Sequence, residues 1–328
     1  MRPQILMRSW PDNLARRLKA TGWMLATLTA TAGSVAAAPV FFEAGGSATP
    51  ASIQSTVDAF RAALGDPNNG NTPGPLASGH REINWDGGGP PLDTNAPGGT
   101  PFNVFRDNRG AQFITDGTGF LQAPPSGGPQ NGLEGAFGNP TYGDTFGVFS
   151  PNRVFTPVGS TITQGLFFIP GTMGGTPAEV SGFGAVFSDV DLADSTEIEF
   201  FDRNGNLLTS RFVLPGSVAD ASLSFLGVTF NAGEEIASIR IIIGTDPLAP
   251  GINDNPLGGI DNPLGGIDLV VMDDFLFAEP SPAAAIVPEP ATWVLLCAGM
   301  AVLAGLRRYW QRSQDGGEHR RSFGPQVA

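Results

Sequence analysis

From about Phe146 onward the chain is a succession of short apolar runs cut by turn residues, and this rhythm limits the possible fold more than any other feature. The runs are Leu166 to Ile169, Phe183 to Phe187, Glu197 to Phe201, Leu207 to Leu214, Leu223 to Phe230, Ile236 to Ile243 and Leu269 to Phe277. Their length suits strands, and their regular spacing argues a mainly β fold, a jelly-roll-like β-sandwich. The clearest local signal is Ile198 to Leu208, a hairpin with Asn204-Gly205 at its tip. Asp202, Asn204 and Asn206 alternate there like calcium ligands. The glycine such a loop requires at its sixth position is replaced by Leu207, so a turn is the preferred reading over a metal loop.

Ahead of the strands, Ile53, Val57, Phe60 and Leu64 recur at helical spacing, which predicts one amphipathic helix over 50–64. Thr49 is its expected cap, Pro50 suits the first turn and Gly65 ends it. Residues 65–101 hold 9 Gly and 7 Pro, which reads as a long loop too rich in turn residues for strands. A second such loop is expected over 124–143. Phe is frequent, with 22 of 23 inside residues 39–287, whereas Trp85 and Tyr142 are the only Trp and Tyr there. Phe has no polar handle, so it marks a large core rather than exposed stacking platforms; Trp85 alone could serve as one.

Charge is segregated along the chain. Residues 39–287 carry 27 Asp plus Glu against 8 Arg and no Lys, a net of −19, while the other basic residues cluster at the two ends. A nucleic-acid partner is therefore not expected. Each basic cluster borders an apolar run, as in a chain addressed to a membrane. Basic residues through Lys19, the apolar stretch Trp23 to Val35 and the small residues Ala36 to Ala38 read as a signal peptide over 1–37, with an uncleaved anchor as the alternative. The expected organisation continues with an ectodomain over 38–282, a linker over 283–290, a transmembrane helix over 291–306 and a basic cytoplasmic tail over 307–328. Arg307 and Arg308 on the inner side place the acidic body outside the cytoplasm. The single Cys297 lies in the apolar run, so the body has no disulfide.

Pro288-Glu289-Pro290, the apolar run and the Arg307-Arg308 pair together resemble the PEP-CTERM sorting signal of Gram-negative bacteria. That resemblance covers about 25 residues and implies two processing partners, signal peptidase and an exosortase-type transpeptidase. It also implies passage from the inner membrane to the cell surface or the exopolysaccharide matrix. Family tails usually stop soon after the Arg cluster, whereas this chain runs on to Ala328. An ordinary C-terminal anchor is the alternative. The segments Val57 to Arg61, His80 to Gly89, Gly182 to Asp191 and Asp273 to Phe275 are similar to those of secreted bacterial proteins, a likeness that implies one domain and no activity.

No metalloprotease, nucleophile-elbow or phosphate-loop motif is present in the sequence. The densest group of functional side chains is His80, Arg81, Glu82, Trp85 and Asp86, a candidate ligand loop. Two uses are open: acid–base work by His80, Glu82 and Asp86 in a hydrolase, or a loop docked by Ile83 and Trp85 with Arg81 paired to an acid. The second is preferred. A further acidic set, Asp189 and Asp191 with Asp273 and Asp274, would be joined by Glu43 if the first strand lay beside the last, making a candidate structural Ca²⁺ site. Its alternative is a solvated acidic rim. The heptad Asp254 to Ile260 recurs as Asp261 to Ile267, followed by Asp268; a lengthened loop is preferred there over a cation site. The expected function is a non-catalytic surface or matrix protein. A carbohydrate-binding module using Trp85 and the long loops is the alternative, and a hydrolase the remote one.

Overall fold

The computed structural model describes residues 39–311 except 88–90, 92, 129–130, 232, 256–265 and 284–298. The signal peptide, the Pro288-Glu289-Pro290 motif, most of the apolar run and Asp261 lie outside the described residues. The fold is mainly β, with antiparallel sheets and few helices. In chain order the elements are β1 (Val40–Gly45), α1 (Gln54–Leu64), β2 (His80–Ile83), β3 (Ala96–Gly98), β4 (Ala111–Ile114), β5 (Gly119–Ala123), α2 (Gly132–Phe137) and α3 (Tyr142–Thr145). These are followed by β6 (Val154–Val158), β7 (Ile162–Phe167), β8 (Ala178–Glu179), β9 (Gly182–Ser188), β10 (Glu197–Phe201), β11 (Leu207–Phe212), β12 (Leu223–Thr229), β13 (Ser238–Ile242), β14 (Val271–Ala278) and β15 (Ser281–Pro282).

One sheet runs β1-β12-β9-β14-β6-β5-β3, with β2 sharing the β6 edge of β14; the other runs β11-β10-β13-β7-β4, and β8 and β15 form a small ribbon. The two main sheets close on one core. Phe113 of β4 meets Phe155 of β6 and Phe275 of β14 at ring distances of 6.0 and 5.4 Å. Phe167 of β7 meets Phe183 of β9 and Phe277 of β14 at 6.1 and 5.5 Å. These edge and tilted contacts are the geometry that aromatic quadrupoles favour. The apolar runs thus become strands because the opposite sheet supplies an apolar face.

Helix α1 packs on the outer face of the larger sheet. Its buried Val57, Phe60 and Leu64 have the expected spacing. Phe60 lies over Gly184 and Gly227, which are paired across β9 and β12. A Cβ added at either would stand 2.8 or 2.7 Å from its ring. Thr49 precedes a 3-10 turn at Pro50–Ser52 and makes no capping hydrogen bond. Gly65 ends α1 as expected, with φ of 94°.

The two glycine- and proline-rich regions hold more structure than their composition predicts. The first contains β2 and β3, with β2 in full register against β14 from Phe275↔Ile83 to Ala278↔His80. The second contains α2 and α3, which set Leu133, Phe137 and Tyr142 into a smaller apolar cluster with Leu248 and Leu269. In both, flanking glycines break the period that marks an element, while long-range pairing supplies the stabilisation. The β10–β11 hairpin turns as expected: Asp202 Oδ1 accepts from the Asn204 and Asn206 amides, each at 2.8 Å. Residues 299–311 are helical, and Met300, Val302, Leu303, Leu306, Tyr309 and Trp310 on them are exposed. Among the described residues no helix is long and apolar enough to cross a membrane.

Candidate functional site

Within the His80 segment, His80–Ile83 form the largely buried strand β2, and Trp85 and Asp86 follow it in irregular chain. Alternation along β2 sends His80 and Glu82 toward α1. His80 Nδ1 lies 2.6 Å from the Gly65 carbonyl, and Nε2 lies 3.0 Å from Glu82 Oε1. Arg61 of α1 donates to both Glu82 oxygens, at 2.8 and 3.3 Å. Burial alone would raise the Glu82 pKa, but the bonds from His80 and Arg61 outweigh it and hold it at about 2. The bond to Glu82 raises the pKa of His80. Asp86 is held elsewhere, its Oδ1 accepting from the Asn152 and Arg153 amides at 2.5 and 3.0 Å. The three residues considered for acid–base work are therefore not one constellation.

Arg81 and Trp85 are both engaged inside the protein. Arg81 is fully buried and forms a fork with Glu279 through Nε and Nη2, both contacts 2.8 Å, while Nη2 also donates to the Thr72 carbonyl and Nη1 to the Gly70 and Asn108 carbonyls. It pairs with an acid as expected, but one 198 residues away. Trp85 is also fully buried; it stacks on Phe155 at 3.7 Å and 2° and donates Nε1–H to the Asp273 carbonyl at 2.9 Å. No face of the indole is left for a sugar. A surface cleft of 470 Å³ lined by Asp93, Pro124, Pro125, Ser126, Phe146 and Asn152 offers no exposed aromatic ring either.

The expected acidic set divides into three. Glu43 is ion-paired to Arg211 at 2.7 Å, because β12 and β9 stand between β1 and β14. Asp273 and Asp274 occupy an irregularity in the β9–β14 pairing, between Met272 and Phe275. Asp273 Oδ2 accepts from the Phe149 amide at 2.6 Å, and Ser150 Oγ donates to Asp274 at 2.6 Å, so the pair fastens the chain entering β6. Burial and their mutual charge push the Asp273 carboxyl well above its ordinary range.

Asp189 and Asp191 meet different partners. Carboxylate oxygens of Asp191, Asp254 and Asp268 lie within 4.8 Å of one another. Asp268 is fully buried and fixed by donors from the Asp191 and Leu192 amides at 3.3 and 3.1 Å and from Ser195 Oγ. Asp254 accepts from the Leu269 amide at 2.7 Å. Asp189 follows β9 with φ of 70° and is fully buried, and neither of its carboxylate oxygens has a hydrogen-bond partner. Desolvation, then the other carboxylates, push Asp189 up to about 10 and Asp254 to about 7. Desolvation and the charges of Asp268 and Asp220 carry Asp191 to about 6. The heptad duplication lies between Asp254 and Asp268, which places one acid on each side of it.

Comparison with protein-family models, curated proteins and solved structures finds no match to this chain. What can be stated of its class is therefore what the fold and these clusters define: a mainly β, two-sheet protein with a strongly acidic body and one group of converging carboxylates.

Proposed function

We propose that this chain is an exported, non-catalytic protein of the cell surface or exopolysaccharide matrix, sorted through a PEP-CTERM signal, with a jelly-roll-like sandwich as its ectodomain. The observation that carries the proposal is the tail: Pro288-Glu289-Pro290, an apolar run and Arg307-Arg308 in that order. The exposed apolar side chains on helix 299–311 support it, since they lack partners in the body and suit a hydrocarbon environment. A short extended motif next to such a helix is what a membrane-bound transpeptidase can grip.

The ectodomain reading rests on strand placement. From β9 in the larger sheet the chain crosses to the smaller one for β10 and β11, then changes sheet at each of β12, β13 and β14, so β9, β12 and β14 lie in one sheet and β10, β11 and β13 in the other. The non-catalytic reading is supported by the internal engagement of His80, Arg81, Glu82 and Trp85. The same burial of Trp85 weighs against a carbohydrate-binding module built on it.

Mass spectrometry of the mature protein from cells bearing an exosortase tests the proposal. The expected product begins after Ala37 and ends near Glu289, outside the inner membrane. A chain retained at full length in that membrane, or one unchanged by Glu289→Ala and by deletion of 291–328, overturns it.

A further inference from the structure

We propose that Asp191, Asp254 and Asp268, with the buried Asp189 two residues from Asp191, form a divalent-cation centre, of Ca²⁺ type, that joins the chain at Asp254 and Asp268 to the end of β9. The inference does not rest on the sorting proposal, because it concerns the folded body alone.

Geometry supplies the first argument. Ca²⁺ binds oxygens at 2.3–2.6 Å, so two oxygens on one ion stand no more than about 5 Å apart. The oxygens of Asp191, Asp254 and Asp268 meet that limit pairwise, at 4.8 Å or less. They come from chain segments far apart in sequence, so their convergence is a product of the fold. All the donors are carboxylate oxygens, which suit a hard cation and not a soft metal.

Asp189 supplies the second argument, independent of the cluster. Its side chain is fully buried with both oxygens unpartnered, two residues along the chain from Asp191. An isolated buried carboxylate is so costly that such groups are normally paired or coordinate a metal. Protonation is the other remedy, but it would turn Asp189 into a donor, and no acceptor contacts it among the described residues. Among the described residues no ion pair joins an arginine to a member of the group; Arg61, Arg81, Arg203, Arg211 and Arg240 pair with carboxylates elsewhere. A dipositive ion held by Asp191, Asp254 and Asp268 would relieve the repulsion among those three and offset the buried charge of Asp189.

The remaining bonds show a site held open for such an ion. The amides of Asp191 and Leu192 and the hydroxyl of Ser195 fix Asp268, and the Leu269 amide fixes Asp254. Thr245 closes the base of the loop through its amide to the Asp268 carbonyl at 2.8 Å. Three of the four donors to these carboxylates are backbone amides, so the carboxylates are oriented by the chain itself.

The test is calorimetric titration of the EDTA-treated full chain, in mild detergent, with CaCl₂, paired with thermal unfolding. One saturable site per chain is expected, together with a melting temperature that rises with CaCl₂ until the site fills. Asp254→Asn and Asp191→Asn should each weaken binding at least tenfold. Both should fold in the absence of Ca²⁺ with melting temperatures at or above that of the calcium-free parent, since each removes one repelling charge. Asp202→Asn, in the exposed hairpin turn, should bind as the parent does. Absence of saturable heat and of any melting shift up to about 10 mM CaCl₂ would falsify the site. So would binding that survives intact in Asp254→Asn and Asp191→Asn, or weak uptake that never saturates, which is the behaviour of a diffuse acidic surface.

Discussion

His80 carries the most informative single charge in the body, since it lies between a helix end and a carboxylate whose ionisation runs the opposite way. Glu82 titrates near 2 when folded, against an ordinary value of 4.5, so its contribution is full above about 4.5 and is lost as pH falls toward 2. His80 is raised above its ordinary 6.5, so its contribution is full below 6.5 and is lost as pH rises through its folded value. Both act together between about pH 4.5 and 6.5. Urea unfolding of the parent and of His80→Gln across pH 3–9 should therefore differ most in that window, with the difference shrinking on the alkaline side. A difference that is flat with pH would mean that His80 acts only through its shape. The residue scale also marks where the sequence is silent. Asp189 and Asp191 stand out as acids beyond a strand and Asp254 and Asp268 as acids of a repeat, but nothing in the sequence joins the two pairs. The expectation gave the first pair Glu43, Asp273 and Asp274, on the assumption that first and last strands are neighbours. Two intervening strands turn Glu43 toward Arg211 instead.

Among the elements, those that announce themselves are the ones with a strong period. Helix α1 and strands β9, β10, β13 and β14 follow the apolar runs closely, with β9 and β14 buried throughout and β10 and β13 buried at alternate residues, around a core of Phe, Ile and Val. Strand β2 has no such period, since His80, Arg81 and Ile83 are all buried and polar partners satisfy two of them. Nor does the sequence disclose why α1 settles where it does. Glycine weakens an isolated strand, yet Gly184 and Gly227 leave the recess that Phe60 fills. Gly227→Ala should therefore lose about 1–3 kcal/mol of unfolding free energy through overpacking. Adding Phe60→Ala should then cost less than Phe60→Ala does in the parent, because the clash and the contact involve the same atoms. Equal costs in the two backgrounds, read from urea midpoints, would show that α1 does not depend on the recess.

At the scale of the whole molecule, charge and fold pull against each other. The body holds 27 carboxylates and 8 Arg, and among the described residues Arg61, Arg81, Arg203, Arg211 and Arg240 form ion pairs with carboxylates. An excess of one sign favours expansion, because unfolding separates the charges. Exposed pairs such as Arg211–Glu43 offset little of this, each contributing at most about 1 kcal/mol. Screening should therefore stabilise the body. Raising NaCl from about 20 mM to 0.5 M shortens the screening length from about 20 Å to about 4 Å, which reaches repulsion between neighbouring strands. The melting temperature should climb smoothly over that range, and equally with KCl. CaCl₂ added at low salt should give a separate, saturating increment that Asp254→Asn lacks, while that variant keeps its response to NaCl. The two responses divide the electrostatics into a diffuse part, owed to the acidic surface, and a local part, owed to four carboxylates around one loop. A melting temperature that falls with NaCl would mean that the ion pairs outweigh the net charge. The acidic balance would then be a property of the surface and not a strain on the fold.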